Sequence, residues 1–89
     1  MILQETIVAL ATPSGAGAIA IIRLSGAAAV TIAADVFQSV SGKDITKQKT
    51  HTIHLGHIVD NGKVYDQVLL SIFKGPNSYT GENVIEISC

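Results

Sequence analysis

The dipeptide Asn61-Gly62 constrains this chain more than any other feature. It lies within Asp60-Asn61-Gly62-Lys63, between Thr50–Val59 and Val64–Phe73, two runs rich in β-branched residues. A two-residue hairpin loop of type I′ needs positive φ at both central positions, which Asn and Gly tolerate, and its twist matches that of the strands it joins. The pair therefore predicts a β-hairpin, and with it an antiparallel sheet.

The other segments are read around that hairpin. Thr6–Ala11 is a short β-branched run, Thr12-Pro13-Ser14-Gly15-Ala16-Gly17 has loop chemistry, and Ala18–Leu24, with three isoleucines, reads as a strand. Ser25 is a plausible N-cap for a helix on which Ala29, Ile32, Ala33, Val36, Phe37 and Val40 recur at helical spacing. Gly42 is placed to end that helix, and Lys43–Lys49 reads as a charged, solvated connector. Gly75–Glu82 is a loop and Asn83–Ser88 a final strand. The predicted order is β-β-α-β-β-β, an α+β layout in which one helix covers a mostly antiparallel sheet.

Composition narrows the class. With 47% hydrophobic and 15% charged residues the chain is too apolar for disorder, and its 89 residues allow one domain at most. A domain this small buries only roughly 60–65% of its unfolded surface. A net charge of −1 supplies no basic field for a phosphate backbone. The single cysteine, Cys89, excludes a disulfide framework and a cysteine-based zinc site, which suits a reducing compartment. The opening Met-Ile-Leu-Gln-Glu lacks the basic start of a signal peptide, and Thr6–Ile22 is short and broken by Pro13, Gly15 and Gly17. A cytoplasmic protein without a membrane span is expected. The chain stops at Cys89 directly after an apolar strand, so residues 1–89 are expected to be the front part of a longer protein.

Gly15-Ala16-Gly17-Ala18-Ile19-Ala20 matches the dinucleotide-binding pattern G-x-G-x-x-G/A. That chemistry needs a helix N-terminus directly after the glycines, where backbone N–H groups meet the pyrophosphate. A strand-like run, Ile21-Ile22-Arg23-Leu24, follows instead, so a dinucleotide-dependent oxidoreductase is the lesser alternative and a tight turn between strands the preferred reading. His51, His54 and His57 would alternate across a strand, with His54 facing away from the other two, and no ligand set is completed. No metal site is assigned. Ser14, Ser25, Ser71, Ser78 and Ser88 lack an evident His/Asp partner by motif, so no catalytic residue is assigned.

Two lone charges are more informative. Arg23, the one arginine, sits among apolar and small residues in Ile19–Leu24, and Glu86 sits within Val84-Ile85-Glu86-Ile87. Charges inside apolar strands are costly unless exposed, paired or hydrogen-bonded. Three accounts are open: both point to solvent, they form a structural ion pair, or they line a polar ligand pocket. A pocket would suit a flat heterocycle, because a carboxylate accepts two parallel N–H bonds from an aminopyrimidine edge and a guanidinium clamps a carbonyl or carboxylate.

Three blocks now carry a resemblance. Ala11-Thr12-Pro13-Ser14-Gly15-Ala16-Gly17-Ala18-Ile19-Ala20-Ile21-Ile22-Arg23-Leu24-Ser25-Gly26, then Gly56-His57-Ile58-Val59-Asp60, then the run from Gly75-Pro76-Asn77 through Tyr79-Thr80-Gly81-Glu82-Asn83 to Ile87 follow one another in order. Together they resemble the N-terminal domain of the MnmE (TrmE) family of tRNA-modification GTPases along the whole chain. Two departures are Ala16, where the family commonly carries a charged residue, and Asn83, where many members have aspartate.

The resemblance implies a folate-binding and dimerisation domain, incomplete at its C-terminal end, that is similar to the folate-binding domain of aminomethyltransferases, with strand exchange or pairing in a homodimer. Its ligand would be 5-formyl-tetrahydrofolate or a related tetrahydrofolate. The family's folate contacts fall on Arg23 and Glu86, with a further basic contact beyond Cys89. The resemblance also implies a longer protein with a helical domain and an inserted, potassium-activated G domain that takes GTP and magnesium. With the flavoprotein MnmG, that protein would add an aminomethyl-type group to the wobble uridine of certain tRNAs. A dimerisation arm without ligand is the main alternative.

Overall fold

The computed structural model describes residues 7–10, 21–75 and 82–88. Two strands, β1 (Ile7–Leu10) and β2 (Ile21–Ser25), precede a helix, α1 (Ala29–Val36), which runs directly into β3 (Phe37–Ser39). A single 3-10 turn (Ile45–Lys47) leads to β4 (Thr52–Asp60), β5 (Lys63–Phe73) and β6 (Val84–Ser88). The six strands form one sheet in the order β1-β2-β6-β5-β4-β3, and each neighbouring pair is antiparallel.

The β4–β5 hairpin is the longest pairing, from Thr52 opposite Ile72 to Asp60 opposite Lys63. Asn61 and Gly62 both take positive φ, 51° and 76°, as the type I′ loop requires. A register shift between Ile58 and Val59 marks a bulge near the tip, where strong twist is ordinary. The last strand in sequence, β6, enters the middle of the sheet between β2 and β5.

Period-2 alternation then divides the sheet into two faces. One face carries Leu24, Val68, Leu70, Ile72, Ile85 and Ile87, which pack with Ala29, Val30 and Ala33 of α1 into the core. Leu70, Ile72, Ile85, Ala29 and Ala33 are fully enclosed. On the other face stand Arg23, Ser25, Val84, Glu86, Ser88, Leu69, Ser71, Ile53 and Leu55 in register, and among the described residues α1 covers only the first face.

The helix is shorter than its periodicity predicts. It ends at Val36, and Phe37 is already extended, with φ −107° and ψ 130°. Phe37 is buried, as the helical stripe required, but as the first residue of β3 opposite Ile58. Sheet pairing with β4 takes Phe37–Ser39 from the helix, an override of local pattern by tertiary contact. Val40 is consequently exposed, and Ile32 is also on the surface. Ser25 is not the N-cap: it belongs to β2, and the cap position is Ala28, which makes no side-chain capping bond. Gly42, at φ 75°, closes the turn after β3, where its N–H donates to the Ser39 carbonyl.

Lys43–Lys49 is more than a solvated connector. Asp44 caps the 3-10 turn, accepting from the Thr46 N–H and hydroxyl, and Ile45 is buried against the core. Lys74 Nζ donates to the Gln48 carbonyl at 2.6 Å, and the Lys74 N–H donates to Thr50 Oγ1 at 2.7 Å. One apolar residue and one lysine thus pin the connector to the end of β5. The glycine loop at Gly15 and Gly17, the middle of the Gly75–Glu82 loop and Cys89 lie outside the described residues. Only residues 18–20 separate Gly17 from β2, too few for the helix a dinucleotide site requires, and the oxidoreductase reading is set aside.

Candidate functional site

Arg23 and Glu86 are brought face to face. Each stands at the middle of its strand, and β2 and β6 align them as direct cross-strand partners. Arg23 Nε donates to Glu86 Oε2 at 2.9 Å, and Arg23 Nη2 donates to the same oxygen. The pair lies on the face away from α1, with side-chain exposures of 44% and 27%. Of the three accounts open at the sequence level, simple exposure of two independent charges is therefore excluded.

As a stability element the pair is minor, since an exposed ion pair contributes only about 0–1 kcal/mol. Its geometry is more telling. Both donors converge on one carboxylate oxygen, so Glu86 Oε1 and Arg23 Nη1 make no hydrogen bond among the described residues. The site thus presents a guanidinium donor edge beside an acceptor oxygen. Such an edge complements a ligand that carries a carbonyl next to N–H groups.

Small and apolar side chains surround the pair. The row across the sheet runs Ala9, Arg23, Glu86, Ser71 and Ile53, and the flanking cross-strand pairs are Ile21 with Ser88 and Ser25 with Val84. Ala9, Ser71, Ser88 and Ser25 share this neighbourhood with Ile21, Ile53 and the buried Val84, so the pair stands in a mixed setting of small and apolar side chains. Beside it, Leu69 lies between Ser88 and Leu55, and Leu55, Leu69 and Ile53 are 42%, 46% and 67% exposed. The open face therefore joins a charged recognition edge to an apolar strip.

Sequence reasoning missed the ties at the entry to β6. Ser25 Oγ donates to Glu82 Oε2 at 3.2 Å, the Gly26 N–H donates to the Asn83 carbonyl at 2.9 Å, and the Gly75 N–H donates to Asn83 Oδ1 at 3.1 Å. By local pattern alone Ser25 reads as a helix cap and Glu82 as loop. The available signal was parity: Ser25 alternates with Arg23, and Glu82 with Glu86.

His54 and His57 lie on opposite faces of β4, as alternation predicts, whereas His51 precedes the strand and is not placed by its alternation. His54 is buried on the core face, and its Nε2 bonds Thr52 Oγ1 at 2.9 Å. The Thr52 hydroxyl donates to the Lys49 carbonyl, so it accepts from His54 and the imidazole carries its proton on Nε2. Burial, reinforced by the positive charge of Lys43, holds the His54 pKa below its ordinary value. His51, in a left-handed conformation at φ 62°, sets its ring edge-on to Phe73 at 5.4 Å. Among the described residues no three His, Cys, Asp or Glu side chains gather as a metal site. Among them, too, no helix is long and apolar enough to cross a membrane.

Comparison with known proteins gives a consistent assignment. The family model described as the GTP-binding protein TrmE N-terminus matches residues 6–89. The chain is 80% identical over 89 residues to the tRNA modification GTPase MnmE of Flavobacterium psychrophilum, and 74% identical over 89 residues to that of Flavobacterium johnsoniae. The MnmE of Clostridioides difficile is 51% identical over 89 residues. In each case 100% of this chain is covered and 19% of the relative, so the chain spans about a fifth of the length of these curated relatives.

Proposed function

The chain belongs to the TrmE N-terminal family, and from that premise we propose that it is the tetrahydrofolate-binding, dimerising domain of a tRNA-modification GTPase. The observation that carries the folate reading is the Arg23–Glu86 pair on the open face, bonded through one carboxylate oxygen. Glu86 Oε1 takes the N–H edge of a pterin, and Arg23 Nη1 donates to a carbonyl or carboxylate of the same ligand. Ring and linker atoms of an amphipathic ligand lie along Leu69, Leu55 and Ile53, which supply apolar contact next to the charged edge. 5-Formyl-tetrahydrofolate has this combination of a donor edge, carbonyls and an apolar middle.

The folate supplies a one-carbon unit, and the residues here bind and orient it. GTP hydrolysis, with its magnesium and potassium, belongs to the part of the protein beyond these residues. So does the work with the flavoprotein MnmG on the wobble uridine of tRNA, which places the protein in the cytoplasm. Dimerisation without ligand is the second reading, favoured by the exposure of Ile53, Leu55 and Leu69 on the sheet face away from α1.

The pterin assignment is tested with Glu86→Gln. Replacing one acceptor oxygen by an amide N–H donor puts donor against donor at the pterin edge. Folate affinity falls by at least about tenfold, the equivalent of one charge-assisted hydrogen bond. Unchanged affinity sinks the assignment.

A further inference from the structure

We propose that Asn83 is the positioning residue of this site: by tying the entry of β6 to both of its neighbours, it sets the register that brings Glu86 opposite Arg23. The inference rests on the reading of that pair as the ligand-recognition edge.

Register at β6 is an open problem for the chain. The strand is inserted between β2 and β5, and no tight turn joins it to either. The connection from β5 spans residues 74–83, and that from β2 contains the helix and three other strands. Only short, defined turns fix register through the loop. The apolar pattern settles parity alone: Ile85 and Ile87 face the core and Glu86 faces out. A slip of two residues keeps that parity, yet it moves Glu86 opposite Ile21 or Ser25 and dissolves the recognition edge.

Asn83 removes this freedom from both sides. Its backbone carbonyl accepts from the Gly26 N–H at 2.9 Å, just past the Ser25–Val84 rung, and its side-chain Oδ1 accepts from the Gly75 N–H at 3.1 Å. Gly26 reaches this bond at a φ of 141°, in the region that favours glycine. Ser25 Oγ, donating to Glu82, adds a third tie one residue earlier. Asn83 is half-buried and sits three positions before Glu86. The side chain, not the backbone alone, supplies the bond on the β5 side, which makes the role specific to an acceptor at this position.

The experiment uses the full-length protein with Asn83→Ala, Asn83→Asp and, as the milder control, Ser25→Ala. Calorimetry reads 5-formyl-tetrahydrofolate affinity, and NMR reads the Arg23 Nε–H resonance and amide exchange at Gly75 without ligand. Asn83→Ala is expected to weaken folate binding about tenfold, as for one lost hydrogen bond, to unprotect the Gly75 amide and to shift the Arg23 Nε–H signal. Asn83→Asp keeps Oδ1 as an acceptor and restores all three, whereas a generic loss of stability would not follow the acceptor. If Asn83→Ala does not fold, the Ser25→Ala protein is expected to show a smaller shift of the Arg23 signal in the same direction. Wild-type-like Gly75 exchange and Arg23 Nε–H signals in Asn83→Ala, or no shift in Ser25→Ala where Asn83→Ala is unfolded, overturn the proposal. A wild type that binds no folate overturns the ligand reading instead, and the two ligand-free NMR signals still decide the clamp.

Discussion

Substituting Gly56 by alanine tests how closely β3 is laid over β4. Gly56 faces the core opposite Ser39, and a Cβ there would stand 2.3 Å from the Gln38 carbonyl oxygen, 2.4 Å from Phe37 Cζ and 2.6 Å from Phe37 Cε1. Ordinary nonbonded contacts sit at about 3.5–4.0 Å, so the overlap is about 1 Å against a backbone atom as well as a ring. The ring of Phe37 is buried and cannot swing clear, and the carbonyl belongs to the short strand β3. Overpacking costs typically about 1–3 kcal/mol, and a clash with backbone belongs at the upper end, about 3 kcal/mol. A domain of this size has a total stability of about 4–13 kcal/mol, so the loss is a large fraction of it. With a urea slope of about 1.5 kcal/mol per molar, the unfolding midpoint of Gly56→Ala falls by about 2 M. The double variant Gly56→Ala/Phe37→Ala is less destabilised than the two singles summed, by about 1 kcal/mol, because ring overlap is counted only once. A midpoint within about 0.3 M of wild type, well inside that slope, would refute the close approach of Phe37 and Gln38 to β4.

Other consequences are equally direct. His54 is held neutral by burial, with its folded pKa below the usual 6.5, so the unfolded chain takes up the proton first. Its contribution to stability is complete above pH 6.5, falls as pH drops through the lowered folded value, and this slope is missing in His54→Gln when unfolding midpoints are followed against pH. Asp44 acts in a separate, more acidic window: the Thr46 hydroxyl and N–H lower its pKa below 3.8, and that stabilisation is lost only as pH falls through the lowered value. Gly62→Ala meets no neighbouring atom but must hold φ near 76°, so it costs about 1–2 kcal/mol of left-handed strain in a melting experiment. Leu70→Ala empties a fully enclosed position at the centre of the sheet and costs about 2–5 kcal/mol.

Much of the architecture was legible because local chemistry and tertiary contacts agree. Asn61-Gly62 dictated the hairpin, and the alternation of Val84–Ser88 put Ile85 and Ile87 inside and Glu86 outside. The lone charges were visible for the same reason: Arg23 and Glu86 interrupt apolar strands, where an unpartnered charge is costly. What stayed hidden depends on pairing between distant segments. Phe37 fits a helical stripe and a strand equally well; pairing with β4 takes it into the strand, and the glycine at position 56 leaves room there for its ring. Ile45 reads as part of a polar connector because one buried residue leaves no period to detect. The clamp at Asn83 needed three-dimensional neighbours, since Gly26 and Gly75 are far from each other in sequence.

If Arg23 and Glu86 together recognise a folate, as proposed, neither can be lost without loss of the ligand. The deciding measurement is calorimetric titration of 5-formyl-tetrahydrofolate into the full-length protein, beside Arg23→Ala and Glu86→Ala and with light scattering on each. Binding by the wild type is expected, and either substitution abolishes it while leaving the scattering mass unchanged. Absence of binding by a well-folded wild type, or affinity that survives both substitutions, refutes recognition through this pair.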